Sequence, residues 1–295
     1  MRFLFNKQAG FTLVEMIVVI VITGIISGMV AMFIKAPVQG YMDSARRAEM
    51  TDIADTALRR MARDVRTAVP NSVQVTGICP ICAVEFLPTK AGGRYRASPK
   101  PSGAVQCGGT LAEDILDFSI ADTCFEIIGT AIPLVRGATD DTSDQIIVGS
   151  TQSDGNPPYD KTFAGNGVRR PYTGATGTLS RVQILGEQFP AFAELPGQRF
   201  DVVPGDQQAV TYACETNSIP VAAGDGTLRL MRYWNYGFTH TRGATKAILA
   251  DKVSACTIDY DLPNQRFGLL AVRLTLTSGN ENVSLYNEIH VNNLP

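Results

Sequence analysis

Histidine is nearly missing: the 295 residues hold two, and His240 and His290 stand isolated from each other. No Gly-x-Ser-x-Gly elbow, no phosphate loop closing on Gly-Lys and no His-Glu-x-x-His pair occurs. The usual settings for an activated serine, a bound nucleotide or a catalytic zinc are therefore missing. These absences predict a protein that is not an enzyme and carries no cofactor. A formal charge of −2 leaves no net electrostatic footprint for nucleic acid. Internal repeats and heptad arrays are absent as well, which excludes a solenoid or a coiled coil. The acidic cluster Asp140, Asp141 and Asp144 lacks the ligand spacing of a known calcium loop and reads as a turn.

What is present is concentrated at the start. A short basic segment carries Arg2 and Lys7 and no acid, ends at Gly10, and is followed by an almost unbroken apolar run over residues 11–34. At ~1.5 Å per residue that run reaches ~36 Å as a helix, enough to cross a bilayer. It is also longer than the roughly 7–15 apolar residues of a secretory signal, and the small residue precedes it rather than following it. Glu15 is its single charge. A carboxylate at such a depth costs roughly 2.5–3.5 kcal/mol even on lenient scales, which marks it as a functional residue.

Gly10 followed by Phe11-Thr12-Leu13-Val14-Glu15 resembles the class III leader junction of type IV pilins and type II secretion pseudopilins. The resemblance implies cleavage between Gly10 and Phe11 by a prepilin peptidase at the cytoplasmic face, and N-methylation of the new Phe11 amine. It implies that Glu15 neutralises the Phe11 amine of a neighbouring subunit when the helices pack in a filament. The implied partners are the prepilin peptidase, other minor and major pilin subunits, an inner-membrane assembly platform and the lipid itself. Arg2 and Lys7 orient the chain with its N-terminus cytoplasmic and the bulk periplasmic, where disulfides persist.

Beyond Ile34 the helix is expected to continue, with Lys35 at the outer interface and a kink at Pro37. Residues 41–69 are amphipathic: Met50, Ala54, Leu58, Met61, Val65 and Ala68 recur at helical spacing on one face. The other face carries Arg46, Arg47, Glu49, Asp52, Asp55, Arg59, Arg60, Arg63, Asp64 and Arg66 and reads as solvated or as meeting neighbouring subunits. Asp55 with Arg59, and Arg60 with Asp64, have i,i+4 spacing. Pro70 stops the helix.

From residue 71 the pattern changes to short β-rich runs separated by turn residues. Strands are expected at 72–75, 83–87, 115–120, 124–128, 145–149, 181–185, 201–203, 209–214, 227–235, 253–261, 269–277 and 283–291. The last two read as a hairpin around residues 278–282. Residues 88–110 and 151–178 read as two long loops, the second with Arg169-Arg170-Pro171. The division is a leader over 1–10, a membrane helix over 11–34, an amphipathic half-helix over 35–69 and a β-rich domain over 70–295. The fold class is α+β and pilin-like: a long N-terminal membrane-spanning helix packed on a mainly antiparallel periplasmic domain.

Six cysteines remain. Cys79-Pro80-Ile81-Cys82 has C-x-x-C spacing, which in a cytosolic βαβ setting suggests redox chemistry; here it follows a strand, with no helix to activate a thiolate. A zinc site from Cys79, Cys82, Cys107 and Cys124 lacks a second close pair. Structural disulfides are the expectation: Cys214 with Cys256, Cys79 with Cys82, and Cys107 with Cys124, although sequence alone leaves the connectivity open. The aromatic run from Leu230 to Phe238, Leu249 to Cys256 and the ending from Glu288 to Pro295 resemble the minor pilins of the mannose-sensitive haemagglutinin (MSHA) pilus system. They resemble, more loosely, the J-type minor pseudopilins. The aromatic run itself reads as a buried strand.

Overall fold

A computed structural model describes residues 10–100, 107, 114–151, 157–162, 164, 166–260 and 268–292. Helix α1, Leu13–Arg66, runs for 54 residues and passes through Pro37. The periodic stripe is the buried one: Met50, Ala54, Leu58, Met61 and Val65 are all buried, with Ala57 and Ala62 beside them. The helix ends at Arg66, two residues before Ala68, the last member of the stripe. The Val69 amide donates to the Leu87 carbonyl at 2.8 Å, and Ala68 bridges Pro88, so a tertiary partner takes the chain out of the helix before Pro70.

Strands follow in two sheets. β1 (Gln74–Ile78) and β2 (Ile81–Phe86) form a hairpin, and β3 (Ala91–Tyr95) leaves for the second sheet. There it meets β4 (Cys124–Ile128), β6 (Gln145–Val148), β7 (Arg169–Pro171), β9 (Arg181–Gln183) and β10 (Arg199–Val203). β5 (Ile132–Leu134) and β8 (Gly177–Leu179) pair with each other. The chain returns through β11 (Val210–Thr216), β12 (Leu228–Tyr233), β13 (Lys246–Tyr260), β14 (Leu269–Ser278) and β15 (Glu281–His290). Strand orders are β1-β2-β11-β12-β13-β14-β15 and β7-β6-β10-β3-β4-β9, and neighbours run antiparallel. This is the α+β arrangement expected, with a long apolar N-terminal helix and an antiparallel β-sheet domain packed on its second half.

The interior has two parts. Ala54, Met61 and Val65 of α1 pack with Phe86, Tyr212 and Leu274 of the larger sheet. Phe125, Ile146, Tyr172 and Phe200 fill the smaller one. The β14–β15 hairpin turns on Gly279-Asn280, with Ser278 opposite Glu281. Both turn residues have positive φ, 57° and 69°, as the twist of a two-residue hairpin requires.

Several expectations are corrected. Residues 115–120 form turns, not a strand. The Asp117 side chain accepts from Ser119 N at 2.8 Å and Asp122 accepts from Asp117 N at 2.9 Å, and such local bonds compete with a ladder. Leu116 and Phe118 are nonetheless buried, which is why the segment looks strand-like in sequence. The two expected loops contain β3, β7 and β8; residues 101–106, 108–110, 152–156, 163 and 165 of those loops lie outside the described residues. Asp64 does not belong to the solvated face of α1. It accepts from Tyr212 Oη at 2.6 Å and Arg232 Nε at 2.9 Å, whereas Asp55 does pair with Arg59, at 2.6 Å.

Candidate functional site

The N-terminal junction is built from very few contacts. Phe11 is 80% exposed. Thr12 caps α1: Glu15 N donates to Thr12 Oγ1 at 3.3 Å, and Thr12 N donates to Glu15 Oε2 at 3.4 Å. This reciprocal Thr-x-x-Glu pair satisfies two of the orphan amides at the helix start. Glu15 thus has a partner within its own chain, a role the sequence signature could have revealed and which the sequence reading missed. A Cβ at Gly10 would meet nothing within 4 Å, so among the described residues no packing demands glycine there. After the cap, every large apolar side chain from Leu13 to Met42 is exposed, and this stretch is long and apolar enough to cross a membrane.

All six cysteines are bonded. Cys79–Cys82 closes the β1–β2 turn, Cys107 is bonded to Cys124 at the start of β4, and Cys214–Cys256 joins β11 to β13. Cys79 Sγ also accepts the Ile258 amide at 3.4 Å, packing the turn on β13. Asp144, of the acidic cluster, is buried and accepts from Val135 N at 2.6 Å and Lys90 Nζ at 2.5 Å. Among the described residues no metal-ligand cluster of His, Cys, Asp and Glu occurs.

Sequence reasoning also missed a polar cluster between strands. Glu85 on β2 is buried and accepts from Thr211 Oγ1 at 3.3 Å, from Tyr236 Oη at 2.8 Å and faces His240 Nδ1 at 2.6 Å. Tyr159 packs against the His240 ring, tilted 43° to it at 4.5 Å between ring centres, and donates to the Ser72 carbonyl at 2.9 Å. Burial, and then the Glu85 charge, push the Tyr236 and Tyr159 hydroxyls well above the usual tyrosine range. The only hint in sequence was a glutamate inside an apolar strand. His240 is therefore part of a structural network rather than isolated.

The loop before β7 is held by two buried arginines. Arg170 donates to the Glu187, Lys161, Gly167, Arg169 and Gln188 carbonyls. Arg169 bonds Tyr159 O and Gln145 Oε1 and lies 3.7 Å above the Phe238 ring. Burial lowers both guanidinium pKa values to about 10. Arg169-Arg170 is thus an internal clamp and not an exposed basic loop.

Against this geometry, the sequence matches a model of the prokaryotic N-terminal methylation motif over residues 5–31. The matched segment includes Gly10, Phe11, the Thr12–Glu15 cap and the apolar part of α1. Together with the α+β fold it supports a type IV pilin-like protein anchored by a single membrane helix. No curated protein and no solved structure matches the chain.

Proposed function

We propose that the chain is a minor pilin that acts at the initiation or tip of a type IV pilus of the MSHA kind, similar to MshO. The observation that carries this reading is the methylation motif seated on the capped start of an apolar helix. Residues 1–10 are its leader, 11–34 its membrane helix, 35–69 the amphipathic half-helix and 70–295 its periplasmic domain. Prepilin peptidase cuts between Gly10 and Phe11. The open space around Gly10 supports a glycine selected by an outside enzyme rather than by the fold.

Cleavage frees the Phe11 amine beside an already capped Glu15. In a bundle, the methylated amine of one subunit competes with Thr12 for the Glu15 carboxylate of the next, and a buried charge gains most from an ionised partner. The subunit works by assembly with other minor and major pilins on the inner-membrane platform, without catalysis or a cofactor. Intact mass from membranes with and without the peptidase tests this. Loss of residues 1–10 plus one methyl group, seen only with the peptidase, is expected; an unprocessed chain in both strains rejects the proposal.

A further inference from the structure

A cleft of about 590 Å³ opens where the end of α1 approaches the β3–β10 ladder. Its charge is strongly one-sided. Arg66 of α1, Arg94 of β3 and Arg199 of β10 all line it, and among the described residues none of the three has a carboxylate within ion-pair distance. Arg94 and Arg199 are directly opposite each other in the antiparallel register. Two residues so paired share one face, with Cβ atoms about 5 Å apart, and like charges there repel. Lys90, also on the wall, is already committed to Asp144.

The floor is backbone. Gly92 lies opposite Asp201, and a Cβ at Gly92 would stand 3.1 Å from the Phe200 carbonyl and 3.3 Å from Asp201 Oδ1. Any side chain there would fill the cleft. The one acid on the lining that faces the arginines is Asp201, and Arg199 is the charge that acts on it.

We propose that this cleft binds the phosphate group of a small organic phosphate, with Arg94 and Arg199 as the two forks and Arg66 as the third cation. Paired guanidinium forks suit the several oxygens of a phosphate better than a single carboxylate. Bridging by a dianion also relieves the cross-strand repulsion between Arg94 and Arg199. The volume lies within the roughly 300–1,000 Å³ of small-molecule sites, so the cleft holds an organic body as well as the anion. The site stands independently of the pilin assignment, since every lining residue lies beyond the matched segment 5–31.

The test is calorimetric titration of the full chain in an uncharged maltoside detergent with glycerol 3-phosphate and with inorganic phosphate. Saturable binding of either is expected, with glycerol 3-phosphate the tighter. Arg94→Gln and Arg199→Gln should each weaken it about tenfold, the loss of one charge-assisted contact. Asp201→Asn should tighten it at pH 7, and Arg63→Gln, outside the cleft, should leave it unchanged. Unaltered thermal midpoints for the two cleft arginine variants would exclude unfolding as the cause. No saturable binding of either phosphate, or equal weakening by Arg63→Gln, overturns the proposal.

Discussion

Asp201 shows how one residue can answer to two demands. Burial pushes its carboxyl up to about 6, although Arg199 pulls it down. A folded-state pKa above the unfolded one means that the proton stabilises the fold. That stability is complete below about pH 4 and is lost as pH rises through about 6. Asp201→Asn should therefore raise stability above pH 6 by about 1–3 kcal/mol and change little at pH 4. Urea denaturation at the two pH values checks this, and an equal effect at both would contradict it. Asp64 serves the fold through its hydrogen bonds instead. It ties α1 to β11 through Tyr212 and to β12 through Arg232, and burial with the Asp64 contact pushes the Tyr212 hydroxyl above its usual range. Asp64→Ala removes the carboxylate from a buried guanidinium, which keeps only its bond to Gln207, and from the Tyr212 hydroxyl, and should cost about 2–4 kcal/mol. An Asp64→Ala, Arg232→Met double variant should recover part of that loss, which denaturation midpoints would show.

Among the elements, α1 is the best specified by its own sequence. The buried stripe Met50, Ala54, Leu58, Met61 and Val65 follows from helical spacing alone, so Met61→Ala should cost about 2–5 kcal/mol. The exposed Arg59→Ala should leave the denaturation midpoint nearly unchanged, because its pair with Asp55 is at the surface. The β14–β15 hairpin was equally legible, as alternation on both sides of a Gly-Asn turn. Strand 115–120 was misread because Leu116 and Phe118 are buried by a turn that Asp117 and Asp122 organise. Segments 88–110 and 151–178 were misread for the reverse reason. Their glycines and prolines hide the short strands β3, β7 and β8, whose partners are distant in sequence. The Cys214–Cys256 bond spans 42 residues and joins the two strands that flank β12. Its removal by a double alanine substitution should cost about 2–4 kcal/mol, read as a shift in denaturation midpoint.

For the whole molecule, the decisive experiment concerns Glu15. Glu15→Ala should leave the β-rich domain folded and the chain membrane-bound while abolishing its recovery in assembled pili, measured by immunoblot of sheared filaments. Glu15→Gln retains the contact to Thr12 but not the charge. If filament packing needs the ionised group, Glu15→Gln should fail as Glu15→Ala does; normal assembly of either variant argues against that role.

Short-range pattern along the chain carries the basic N-terminal segment and apolar run, the buried stripe of α1, the final hairpin and the α+β class. Each depends on residues within a few positions of one another. Tertiary structure alone decided that Asp64 turns inward to Arg232, that Glu85 gathers Thr211, Tyr236 and His240, and that Arg170 closes a loop through five carbonyls. It also brought Arg66, Arg94 and Arg199 to one cleft from three separate elements. Those groupings depend on strand register and on which buried polar group finds a partner across the fold, and no local pattern in the chain encodes them.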